Sequence, residues 1–138
     1  MVTVLGGFAA ATFKRGIACI NIPTTLLSMI DAAVGGKTGI NFNGLKNEIG
    51  SFYPADQVMI DSQFLKTLDM PNLLSGYGEM LKHGLISQPS HWSELLTFDF
   101  AHIDYTLLQK LIGRLHIAAE TYRPVRASQG RHRRKRPL

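Results

Sequence analysis

Residues 23–47 read PTTLLSMIDAAVGGKTGINFNGLKN. The hydroxyls of Thr24 and Thr25, the carboxylate of Asp31, the cations of Lys37 and Lys46, the amide of Asn47 and scattered glycines share this span. A segment that only had to pack would need few of them. Glycine lets a backbone turn at positive φ or approach a ligand closely. Lysine beside it meets phosphate with compact positive charge. The span therefore reads as a surface for phosphate and nucleotide. Gly36-Lys37-Thr38 ends like a P-loop, but that pattern needs a glycine where this chain has Asp31, so spacing excludes it. A Gly-x-Gly-x-x-Gly dinucleotide fingerprint is also absent.

Working outward, residues 6–15 form an alanine-rich helical stretch closed by Lys14 and Arg15, with Gly16 as the stop. Residues 17–22 are apolar and β-branched, end at Pro23, and predict a buried strand. A helix running into a buried strand is α/β grammar, and ligands in such sheets sit beyond strand carboxyl ends. Thr24 and Thr25 fall there. Residues 25–33 predict a short helix capped by Thr24. Residues 37–42 predict a strand, Asn43-Gly44 a tight turn, and residues 58–60 another strand leaving through Asp61. Pro71 suits a helix's first turn, which puts a domain boundary after residue 69. A helix over 72–86 places Glu79, Lys82 and His83 on one face. That pattern invites a metal, yet catalytic zinc takes three protein ligands and an open position. Helices are expected over 91–96 and 105–119. The stripe of Leu107, Leu108, Leu111 and Leu115 on the second is expected to stay partly exposed.

The chain has 138 residues, 45% of them hydrophobic, enough for one modest domain. Its net charge of +5 resides in the tail. From residue 123 onward there are six arginines, one lysine and no acid, so residues 1–122 carry −2 (5 minus 7). The tail RHRRKRPL is expected to be disordered and unrelated to the rest, and nucleic acid is not expected as a partner. Cys19, the single cysteine, suits a reducing cytoplasm and a packing role. No apolar run approaches the ~18 residues of a membrane span.

Taken together, GGFAAAT at residues 6–12, Arg15-Gly16, PTTLL, Asp31, VGGKT, GLKN-x-IG, PADQVMID, FLKTL and the GYGEMLK of residues 76–82 resemble the 3-dehydroquinate synthase family. The likeness fades through HWSELL and ends between Leu115 and Tyr122. It implies an α/β nucleotide-binding portion (residues 1–69), then the start of an all-α metal-binding domain (70–120), with 121–138 a basic tail. It also implies NAD and Zn2+ (or Co2+) as cofactors, a phosphorylated keto sugar acid as substrate, a homodimer and a cytoplasmic place in aromatic amino acid biosynthesis. By resemblance, Arg15, Asp31, Lys37, Lys46, Asn47 and Lys82 are catalytic. Thr24, Thr25, Lys37, Lys46, Phe64, Leu65, Lys66 and Thr67 contact NAD, and Glu79 is a zinc ligand.

The family's two histidine ligands have no counterpart here; His83, His91, His102, His116 and His132 are expected to be structural or solvated. The family's glycine-rich turn and aspartate are unmatched as well, with Val4 at the aspartate position. The chain by itself is therefore expected to be inactive. A related sugar-phosphate cyclase and a non-catalytic remnant are the alternatives.

Overall fold

The computed structural model describes residues 2–87 and 89–121. The basic run from residue 123 and His132 lie outside them. Helix α1 (Val2–Thr12) ends in a single 3-10 turn, Phe13–Arg15. Lys14 and Arg15 both have positive φ there, so the helix stops earlier than its composition predicts. The expected buried strand over 17–22 shrinks to β1 (Ile20–Asn21), which pairs in parallel with β4 (Gln57–Val58). Ile17, Ile20 and Ile22 are exposed, because this ladder is only two strands wide.

After β1 the chain turns into a short helix whose last part widens to a π turn, Ser28–Ala32. Thr25, not Thr24, caps it: the Ser28 N–H donates to the Thr25 hydroxyl at 3.3 Å. Thr24 is one residue too early and stays exposed. Strands β2 (Lys37–Phe42) and β3 (Leu45–Phe52) form an antiparallel hairpin. Asn43 and Gly44 both have positive φ, the requirement of a two-residue turn that matches strand twist. Tyr53 fastens the hairpin's base, its N–H donating to Gly36 O at 2.7 Å and its hydroxyl to Ile17 O at 2.7 Å.

The chain leaves β4 through the 3-10 turn Ser62–Thr67, capped by the Asp61 carboxylate, which accepts from the Gln63 N–H at 2.8 Å. Three helices follow: α2 (Met70–Ser87), α3 (Pro89–Leu96) and α4 (Tyr105–Thr121). One core draws on both sides of residue 69. Leu26, Met29 and Leu65 meet Leu73, Met80, Leu108 and Leu111, all buried. The α4 stripe is mostly covered in consequence: Leu108, Leu111 and Leu115 are buried and only Leu107 is exposed. Tyr77 fills the same core, donates its hydroxyl to Leu95 O and packs edge-on to Phe100 with centroids 4.7 Å apart. Burial pushes its phenol up to about 12. Cys19 is half-buried rather than a core thiol.

Gly76 sets how closely α2 lies on the segment after β1. A Cβ built there would stand 2.6 Å from both the Leu27 nitrogen and Leu26 Cβ. Gly78, on the outer face of the same helix, has open space around it. We expect Gly76→Ala to destabilise the chain by about 2 kcal/mol through overpacking. Gly78→Ala is expected to stabilise it by about 0.5–1 kcal/mol through helix propensity. Chemical denaturation of both variants checks the opposite signs.

His91, at the start of α3, is 7% exposed, and neither ring nitrogen has a hydrogen-bond partner. Desolvation lowers its pKa, with Glu94 opposing and Arg114 assisting. A histidine whose folded pKa is depressed leaves stability intact above its unfolded pKa, ordinarily ~6.5. As pH falls from there toward the folded value, the unfolded state binds the extra proton and stability drops. Denaturation midpoints measured between pH 7 and 5 should fall in the wild type and flatten in His91→Leu.

Candidate functional site

The parallel pairing of β1 with β4 creates the site's frame. Their ladder continues through Asp56 N–H to Cys19 O at 2.8 Å and Met59 N–H to Asn21 O at 2.9 Å. Both strands therefore end side by side, and the residues beyond them emerge on one edge. Thr24 and Thr25 follow β1; Asp61 and the 3-10 turn follow β4. This is the edge at which α/β sheets bind ligands. Asn21 ties the short helix back to it, donating from Nδ2 to Ala33 O at 3.1 Å.

Asp31 is exposed and lies within the π turn, where an extra backbone residue widens the helix. Its carbonyl accepts from Gly35 N–H at 3.0 Å, closing the helix ahead of Gly36 and Lys37. Across from it α2 presents Glu79, Lys82 and His83. Lys82 is ion-paired with the Glu79 carboxylate, and His83 Nε2 stands 3.5 Å from the same oxygen. The Lys82 ammonium is held above the ordinary lysine range, first by its hydrogen bond to Glu79 and then by the charges of Glu79 and Asp31, against some desolvation. Lys82 thus pairs with Glu79 on its own helix and feels the charge of Asp31 from a distant part of the sequence.

The other candidates lie on separate elements. Lys37 opens β2 and is exposed; Lys46 and Asn47 lie on β3. Asn47 has positive φ, and its N–H donates to the Asn41 carboxamide oxygen at 3.0 Å across an irregularity in the hairpin. Arg15 sits in the turn before β1, at the amino rather than the carboxyl end of that strand. Thr25 spends its hydroxyl on capping, within 2.8 Å of the Ser28 hydroxyl, whereas Thr24 points no bond inward. In the 3-10 turn, Phe64 is 44% exposed and Lys66 and Thr67 face solvent. Leu65 is 0% exposed and its side chain belongs to the core, which leaves its backbone for any cofactor contact. A 3-10 turn repeats every third residue, so Ser62 and Leu65 point inward together.

Among the described residues no three His, Cys, Asp or Glu side chains gather to hold a metal. Glu79 is a single donor already engaged by Lys82, so the described residues alone do not fit a catalytic metal ion. Beyond the carboxyl ends of β1 and β4, the exposed Thr24, Lys66 and Thr67 offer hydroxyls and a cation of the kind a dinucleotide needs. The sequence shows Gly76 only as part of GYGEMLK; its close contact with Leu26 and Leu27 comes from a distant part of the chain and has no local signal.

Residues 1–75 match the model of the 3-dehydroquinate synthase N-terminal family. The chain is 61% identical over 114 residues to a 3-dehydroquinate synthase of Parabacteroides distasonis, covering 83% of this chain and 32% of that protein. It thus spans about a third of the length of the curated relatives it matches. Among solved structures it is similar to 2-epi-5-epi-valiolone synthase from Streptomyces hygroscopicus subsp. jinggangensis with NAD+ and Zn2+ bound. That match has a TM-score of 0.74 and 33% identity over 86% of this chain and 34% of the other. A 2-deoxy-scyllo-inosose synthase complexed with carbaglucose-6-phosphate, NAD+ and Co2+ matches with a TM-score of 0.72 and 25% identity, over 86% and 33%.

Removing the carboxylate that holds Lys82 should release its proton affinity. In Glu79→Gln the Lys82 pKa is expected to fall toward the ordinary lysine value, with a smaller fall in Asp31→Asn. NMR titration of the lysine Cε signals reads both shifts. No change in Glu79→Gln would sever the pair.

Proposed function

The chain belongs to the 3-dehydroquinate synthase family, and on that premise we propose that it carries part of the site for that cyclisation. The reaction converts 3-deoxy-D-arabino-heptulosonate 7-phosphate to 3-dehydroquinate with release of phosphate, as a carbon–oxygen lyase of the shikimate pathway. The observation that carries the reading is the Glu79–Lys82 pair on α2, within the field of Asp31, on a chain whose β1 and β4 end in parallel ahead of exposed Thr24, Lys66 and Thr67. NAD, when bound, would supply a hydride acceptor and donor for the substrate's hydroxyl-bearing carbon. Thr24, Thr25, Phe64, Lys66 and Thr67 would orient it along the edge. Lys37 and Lys46 supply cations for phosphate and Asn47 an amide for a substrate hydroxyl. Lys82, kept protonated by Glu79 and Asp31, offers a fixed positive charge to the substrate's carboxylate or phosphate. Such positioning removes several kcal/mol of barrier. Arg15 would act from the opposite end of β1.

We take residues 1–69 as nucleotide-binding and 70–120 as the start of a helical metal-binding domain. Glu79 would be one metal donor, with the others contributed from outside the described residues, and the chain alone inactive. A cytoplasmic homodimer completes the proposal; among the described residues no helix is long and apolar enough to cross a membrane. A related sugar-phosphate cyclase is the second reading, favoured by the likeness to two such synthases. The higher identity to the Parabacteroides protein, 61% against 33%, favours the shikimate substrate.

Grafting the aligned residues of this chain into the Parabacteroides synthase tests the proposal. The chimera should release phosphate from 3-deoxy-D-arabino-heptulosonate 7-phosphate in the presence of NAD. Lys82→Ala within it should lower kcat by about a hundredfold or more. A folded chimera that acts only on a different phosphorylated sugar would support the second reading, and one that binds no NAD would mark a non-catalytic remnant.

A further inference from the structure

The turn that follows β4 is held from the side by α4. The Gln109 carboxamide reaches across Asp61 in both directions: its Oε1 accepts from the Ser62 N–H at 2.7 Å, and its Nε2 donates to Ile60 O at 3.2 Å. A side chain here does what a neighbouring strand would do for the backbone. The buried Ser62 hydroxyl donates to Tyr105 O at 2.9 Å, and Lys66 Nζ stands 5.8 Å from the centre of the Tyr105 ring. At its two ends the turn is closed by Leu68 N–H to Leu65 O at 3.1 Å and by Phe64 N–H to Asp61 O at 3.4 Å. Short 3-10 segments have poor hydrogen-bond geometry and rely on their surroundings. The order of residues 62–67 is thus set from a helix some forty residues later in the sequence.

We propose that Gln109 is a positioning residue for the cofactor. It fixes the Ser62–Thr67 turn in register with the carboxyl end of β1, so that Phe64, Lys66 and Thr67 face the same ligand as Thr24. The role rests on reading this turn as an NAD contact. Gln109 touches no substrate or cofactor itself. Its two bonds replace partners that Ile60 and Ser62 would otherwise lack, and unpaired polar groups at a half-buried turn favour a looser conformation.

Amide hydrogen exchange and NAD titration on the same samples test this. Gln109→Met keeps the side chain's length and removes both hydrogen bonds; Gln109→Glu keeps the acceptor for the Ser62 N–H and loses the donor. The amides of residues 62–67 should exchange roughly tenfold faster in Gln109→Met, with those of α2 and α3 unchanged and NAD bound about tenfold more weakly. Gln109→Glu should fall between, and serves alone if the methionine variant does not fold. Unchanged exchange at 62–67 overturns the clamp. Faster exchange with NAD affinity intact overturns the positioning role. A wild-type chain with a protected turn but no affinity for NAD overturns the cofactor reading and this role with it, while the clamp stands.

Discussion

The close contact of α2 with the backbone after β1 is the constraint on which the rest of the structure depends. Gly76 allows it, because any side chain there would collide with the Leu27 nitrogen and Leu26 Cβ, each 2.6 Å from a built Cβ. A helix set even an ångström further out would leave Leu26 and Met29 less completely covered by Leu73 and Met80. It would also carry Glu79 and Lys82, three and six residues further along α2, away from Asp31. Packing and electrostatics are coupled here through one missing methyl group.

The charged group that this contact assembles is asymmetric. Lys82 pairs with Glu79 alone and feels Asp31 only through its charge, and His83 Nε2 stands 3.5 Å from the same Glu79 oxygen. Because Lys82 is exposed, the pairing adds little to stability; exposed ion pairs contribute little or nothing measurable. Its value is in orientation: the pair keeps a cation at a defined place next to the carboxyl edge. The 3-10 turn at that edge is capped by Asp61 and tied to α4 by Gln109 and Tyr105. The helical part of the chain therefore contacts the segments that follow β1 and β4 at two places, through Gly76 and through α4.

Much of this was legible from sequence where the signal was local. Asn43-Gly44 specified the hairpin, Pro71 marked the start of the helix expected over 72–86, and the leucine stripe marked the one expected over 105–119. Where two neighbouring residues send the same signal, choice between them was not legible: Thr24 and Thr25 are equal cap candidates by type, and only the path of the backbone selects Thr25. Resemblance groups Leu65 with its neighbours at the cofactor, and the period of three that turns its side chain inward and Phe64 outward is not announced by the sequence. The apolar run at 17–22 carries the composition of a buried strand, but burial depends on paired neighbours, and here only β4 supplies one. Long-range contacts, Gly76 on Leu27 and Gln109 on Ser62, leave no local trace.

The central claim is that the carboxyl edge of β1 and β4 is a dinucleotide surface ordered by the helices packed behind it. Chemical-shift mapping of the chain titrated with NAD tests it most directly. The account predicts saturable shifts at Thr24, Thr25, Phe64, Lys66 and Thr67, together with the amides around Gly36, and none in α3. No saturable shifts, or shifts confined to the outer face of α1 and the exposed hairpin, would contradict it.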